Sequence, residues 1–218
     1  MITAKPTALT LVLAMFIAGS HAGFAQATPA FSDWKEQTFS LFSKNRWNAG
    51  KNSVSVVSRG TVSMLWTELP ELIDAQSAAW TWSVDETVSP TRLDKKGGDD
   101  RNLSVYFIFM PRATAEEYRG ASMRRLLGIE EARVLMYAWG GNHAKGAVLA
   151  SPYLGARGRT IALRPASTGR FAEQVNLARD FRAAFGDQAT TLVGLAVSSD
   201  SDDTDGQIRA TLSRINIQ

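Results

Sequence analysis

Apolar and polar residues alternate in short runs along most of this chain. Val54 and Val56, then Val62, Met64 and Trp66, are spaced two apart on either side of Arg59-Gly60. This spacing predicts a β-hairpin with one apolar and one polar face, bent where glycine can take positive φ. Trp80, Trp82 and Val84 repeat the pattern, with Thr81 and Ser83 between them. Leu103, Val105, Phe107 and Phe109 repeat it again, and the two runs are expected to be neighbouring strands. Pro70 is expected to end any strand before it. Residues 134–139, 146–150, 160–163, 191–198 and 207–217 read as further strands.

Two stretches break the alternation. Residues 112–133 open with Thr114-Ala115-Glu116-Glu117, a helix start with acids in its first turn, and are interrupted by Gly120 and Gly128. Short helices forming a cover over one sheet edge fit this composition. Residues 171–186 fit either a helical stripe of Phe171, Val175, Ala178, Phe181 and Phe185 stopped by Gly186 or, in better accord with the β surroundings, a strand through Val175 and Leu177, then a short helix over residues 181–185 capped by Asp180. Residues 28–43 form a lead-in, a short helix or a strap. About nine strands without intervening long helices argue against a parallel α/β sheet. They predict a β-rich, all-β fold: an antiparallel two-sheet β-sandwich with short helices in its connections.

Composition sharpens this picture at the N-terminus. Of the 218 residues, the first five include Lys5, and residues 8–19 are apolar or small apart from Thr10. Ala25-Gln26-Ala27 follows as a small-x-small cleavage site, with Ser20-His21-Ala22 as a second candidate. Residues 1–27 thus read as a signal peptide, too short to span a bilayer. Residues 28–218 then form a single domain, periplasmic or secreted, with no membrane span after cleavage. Its length of about 190 residues suffices for a core without disulfides, and the chain has no cysteine. Loss of residues 1–27 removes Lys5 and no acid, so 23 basic residues face 21 acidic ones. A near-neutral balance argues against nucleic acid as a partner.

The candidate chemistry lies in loops. Asp94-Lys95-Lys96-Gly97-Gly98-Asp99-Asp100 joins two aromatic strands, and its carboxylates can hold a cation or a sugar's hydroxyls. As a plain turn, the same aspartates would bond nearby amides. Asp200-Ser201-Asp202-Asp203-Thr204-Asp205-Gly206 places four carboxylates in six residues. Its spacing is not that of an EF-hand, which leaves a non-standard calcium site on Asp200, Asp202 and Asp203. Trp139, at the end of a strand, is the best-placed aromatic for stacking on a sugar ring, although alternating aromatics also build cores. His143 follows two glycines, but no nucleophile motif accompanies it. Arg157 and Arg159 form a basic loop that lacks phosphate-loop spacing. The expected ligand set is therefore Asp99, Asp100, Trp139, Asp200 and Asp202, with no catalytic residue assigned.

Several of these pieces recur in one order: Trp80-x-Trp82-x-Val84, Asp94-x-x-x-Gly98-Asp99-Asp100 before a Val-Tyr strand, Tyr137-x-Trp139, Asp180-Phe181-x-x-x-Phe185-Gly186, and Asp200-Ser201-Asp202-x-Thr204. In this order the chain resembles the domain of unknown function 3047, a family of exported bacterial proteins. The resemblance runs from about Trp34 to the C-terminus. It implies a jelly-roll sandwich similar to galactose-binding domains, and it brings no established activity. Asp203 stands where the family pattern suggests Asn, and Ser104 where an Arg often precedes Val-Tyr. The first expected function is a module binding a carbohydrate or other envelope component. A hydrolase using an aspartate pair on envelope polysaccharide is the second, and a structural periplasmic protein the third.

Overall fold

The computed structural model describes residues 26–40 and 42–218. Most of the expected signal peptide, residues 1–25, lies outside them. Fourteen strands occur among the described residues. They are β1 (Gln26–Ala27), β2 (Lys35–Thr38), β3 (Arg46–Ala49), β4 (Ser53–Arg59), β5 (Val62–Ile73), β6 (Ser77–Glu86) and β7 (Arg101–Met110). The second half holds β8 (Arg133–Gly140), β9 (Val148–Ser151), β10 (Gly155–Arg164), β11 (Gly169–Asn176), β12 (Thr191–Asp200), β13 (Gln207–Ser213) and β14 (Asn216–Ile217). Three short α-helices, α1 (Arg112–Glu117), α2 (Met123–Gly128) and α3 (Leu177–Phe185), and one 3-10 turn, Phe31–Asp33, join them.

The strands form two seven-stranded sheets. The first runs β1-β14-β6-β13-β4-β3, with β11 on the free side of β6. The second runs β2-β5-β12-β7-β8-β10-β9. Every pair is antiparallel except β8 with β10. The two-sheet β-sandwich expected from alternation is therefore present.

The predicted pairings are corrected in two places. β4 and β5 do not form a hairpin: β4 pairs with β3 and β13, whereas β5 pairs with β2 and β12. The turn at Gly60, whose φ is 59°, carries the chain from one sheet to the other. Likewise β6 and β7 lie in opposite sheets and meet across the core, with the Trp80 and Phe107 ring centroids 6.1 Å apart. Nor does Pro70 end β5, which continues to Ile73. Pro70 falls in the register shift between Leu192 and Gly194 of β12, where the ladder needs no donor from it.

The inter-sheet core is aromatic. Trp82 packs on Trp139 at 5.5 Å and Trp80 on Tyr137 at 5.7 Å. The indole N–H of Trp82 donates to Glu173 Oε1 (3.1 Å), and that of Trp139 to Ser167 Oγ (3.2 Å). Burial of the ring with its polar tip satisfied is the usual condition for tryptophan in a core. At one end of the sandwich α3 starts at Leu177, with Asn176 rather than Asp180 as its cap. Asp180 instead accepts the Tyr137 hydroxyl at 2.9 Å.

The central strands of the second sheet, β7, β8 and β12, are buried on both faces. On its outer face Trp66, Ala196, Tyr106, Met136 and Thr160 stand side by side in register. The helices α1 and α2 cover part of this face, with Ala115, Met123, Leu126 and Ile129 packed on Trp66, Tyr106, Ile108 and Met136. The short helices expected over residues 112–133 thus form a cap. Arg157 fastens it by donating to the Leu127 and Ile129 carbonyls at 2.5 and 2.8 Å.

Candidate functional site

The end of the second sheet beyond the cap gathers most of the loop residues singled out above. Arg101 opens β7, Asp200 closes β12, and the two are register partners. Asp99 stands two residues before Arg101, hence on the same face. The β7 register with β8 shifts here, and Gly140 pairs with Arg101. A Cβ on Gly140, whose φ is 155°, would lie 2.7 Å from Arg101 Cα. The close approach requires glycine.

Arg101 Nη1 donates to Asp99 Oδ2 (2.9 Å), the Asp99 carbonyl (2.8 Å) and Asp200 Oδ2 (3.1 Å). Its Nη2 donates to Tyr106 Oη (3.1 Å) and Ser198 Oγ (3.4 Å). The side chains of Arg101, Asp99 and Asp200 are only 13%, 5% and 8% exposed. Burial works against the arginine's charge, but Tyr106, Asp200 and Asp99 hold it firmly protonated. For Asp200, burial raises the pKa to about 8 against the pull of Arg101, and Asp202 and Asp100 beside it add to the rise. Its Oδ1 is buried with no hydrogen-bond partner.

Asp100 is wholly buried and serves the adjacent turn. Its Oδ1 accepts from the Asp203 N–H (3.2 Å), and its Oδ2 from the Thr204 N–H (2.9 Å) and hydroxyl (2.5 Å). Asp203 Oδ2 in turn accepts from the Asp99 N–H at 3.3 Å. The loops at 94–100 and 200–206, 100 residues apart in sequence, are thus clasped together. His143 is a loop fastener as well: its Nε2 accepts the Leu93 N–H at 3.1 Å, which places the ring proton on Nδ1.

A cavity of about 380 Å³ opens between this polar end and the cap. Met64, Met136, Leu127 and Leu154 wall its apolar part, and Asp99, Arg101, Asp200 and Asp202 line its polar end. Two half-exposed aromatics, Phe39 and Tyr153, also line it. The Tyr153 hydroxyl donates to Asp99 Oδ1 at 2.9 Å, and burial together with Asp99 raises its pKa.

The expected ligand residues therefore divide. Asp99, Asp200 and Asp202 line the cavity, whereas Asp100 is spent on the turn. Trp139 is corrected: it is 0% exposed, packed between Trp82 and Phe171, and offers no face to a sugar. The calcium set is corrected too. The carboxylates with oxygens within 4.8 Å of one another are Asp100, Asp202 and Asp203, while Asp200 turns to Arg101. Calcium takes six to eight oxygens, and here Asp100 and Asp203 already accept N–H and O–H groups of the clasp. The donor set does not fit that ion. Arg101 and Tyr153 escaped sequence reading. The available signal for Arg101 was a cation directly following two acids at the mouth of a buried strand.

The profile of the family described as "Protein of unknown function (DUF3047)" matches residues 32–216. No curated protein matches the chain. Among solved structures it is similar to a meso-active, thermostable cellulase derived from Cel12A of Rhodothermus marinus, with TM-score 0.52 and 9% identity over 90% of this chain and 97% of that one. It is also similar to a structure from a comparison of family 12 glycoside hydrolases, with TM-score 0.50 and 8% identity over 88% and 95% of the two chains. At these identities the likeness concerns the fold alone, a two-sheet jelly roll.

Proposed function

This chain belongs to the DUF3047 family, a family of unknown function, and from that premise we propose that it is a binding module for a carbohydrate or other envelope component, held in the cavity on the outer face of the second sheet. The observation that carries this reading is the cavity itself. Its volume of about 380 Å³ lies within the range of small-ligand sites, and its apolar walls converge on a few polar groups. A sugar ring has the matching duality: apolar C–H faces for Tyr153 and the methionines, and hydroxyls for Asp202. The leader read at residues 1–27 supports export to a periplasm or beyond, which cell fractionation checks.

A glycan array with the intact protein tests the binding. Bound glycans, with affinity reduced at least 10-fold by Tyr153→Ala, are expected; an array without signal removes the reading.

One observation favours a hydrolase as the second reading. Asp99 Oδ2 and Asp200 Oδ2 lie 2.9 and 3.1 Å from the same Arg101 nitrogen, hence at most 6.0 Å apart. Retaining glycosidases set their carboxyls about 5–5.5 Å apart, and the raised pKa of Asp200 suits an acid. Against it, the Arg101 guanidinium occupies the gap that a sugar's reacting carbon would need. Polysaccharide turnover lost in Asp200→Asn would reverse this preference.

A further inference from the structure

The buried polar groups of the cavity are turned on one another rather than into its space. Arg101 gives both Nη nitrogens to Asp99, Asp200, Tyr106 and Ser198. Asp99 accepts from Arg101 through Oδ2 and from Tyr153 through Oδ1. Asp200 accepts from Arg101 through Oδ2, and its Oδ1 is sealed from solvent. The Tyr106 hydroxyl lies between Arg101 Nη2 and Ser198 Oγ. Ser151 Oγ accepts the Tyr153 and Leu154 N–H groups at 3.4 and 3.2 Å, and the Thr160 hydroxyl turns to the Met136 sulfur at 3.8 Å. Asp202 stands exposed at the rim. A hydroxyl drawn into this space would lose its water and gain little in exchange, a loss of about 10-fold in affinity for each unpaired group.

The rest of the wall is hydrocarbon and sulfur, from Val62, Met64, Leu93, Leu127, Met136 and Leu154. Methionine is unbranched and adapts its shape to what lies against it. An apolar cavity of about 150 Å³ takes one benzene ring, so the 380 Å³ here admits a longer apolar body. Phe39 and Tyr153, 54% and 57% exposed, line the same cavity; they are two of the four large apolar side chains exposed among the described residues. We infer that the ligand is a single-chain amphiphile. Its alkyl or acyl chain lies in the cavity along the methionine wall, and its hydroxylated head stays in water at Tyr153 and Asp202. This inference rests on the reading of the cavity as a ligand site and narrows the class of envelope component that it holds.

Calorimetric titration with hexyl, heptyl and octyl glucoside, each below its micelle concentration, and with free glucose tests it. Each added methylene should tighten binding about fourfold, the gain from burying one CH₂ group, and glucose should bind about 100-fold or more below the octyl compound. Leu127→Asn and Leu154→Asn place an amide in the wall and should each weaken octyl glucoside about 10-fold. Both side chains are half-buried, so either variant reports on binding if the other disturbs folding. Glucose binding as tightly as its octyl glycoside would overturn the chain and leave the ligand site standing as a sugar site. A chain-length dependence untouched by both variants would seat the chain elsewhere and overturn the inference as well. If no alkyl glucoside binds, the inference falls, and the glycan array decides whether the ligand site falls with it.

Discussion

At the scale of single residues, Arg101 holds the polar end together. It gathers two carboxylates, a phenol and a serine from β7, β12 and the loop before β7. Removing one partner of a buried pair leaves uncompensated charge, so Arg101→Met should cost about 3–5 kcal/mol, read from urea denaturation. Asp200 gives a pH signature. Its folded pKa of about 8 lies above its ordinary 3.8, so the folded state holds this proton more tightly. The corresponding stability is complete below pH 4 and is lost as pH rises towards 8. The melting temperature should therefore fall over that interval, and Asp200→Asn should flatten the fall. The aspartates were legible in the sequence because clustered acids in glycine-bearing loops are conspicuous. Their division of labour was not, since whether a carboxylate meets an amide, a guanidinium or open space depends on a partner 100 residues away.

At the scale of elements, strand positions were legible because alternation records which side of a strand is buried. Partners were not. The Arg59-Gly60 bend has the residues of a hairpin turn, yet β4 and β5 enter different sheets, a choice made by the long-range ladders of β12 and β13. Short helices were expected over residues 112–133 from the helix start and glycines, but over a sheet edge; they cover a face instead, and the apolar residues on both faces of β7 become intelligible through it. The cap is held to β10 by one side chain in particular. Arg157→Ala frees the Leu127 and Ile129 carbonyls, and faster amide exchange confined to residues 112–132 is the expected result.

At the scale of the whole molecule, two sheets share one aromatic core, and the second sheet carries a further apolar layer beneath the cap. The clasp between loops 94–100 and 200–206 links β6–β7 to β12–β13 through hydrogen bonds that engage the Asp100 and Asp203 carboxylates. Melts with excess calcium and with chelator should therefore coincide, and a rise of several degrees with calcium would show that the clasp opens to admit it. No helix among the described residues is long and apolar enough to cross a membrane. One further feature concerns sulfur. All four methionines of the described residues, Met64, Met110, Met123 and Met136, lie in the layer beneath the cap, each at most 6% exposed. Thioethers oxidise where peroxide can reach them. The layer thus forms a built-in chemical record of cap opening. Sulfoxide should accumulate at the four sites slowly and together, faster in Arg157→Ala, and a ligand filling the cavity should protect Met64 and Met136, which line it, more than Met110.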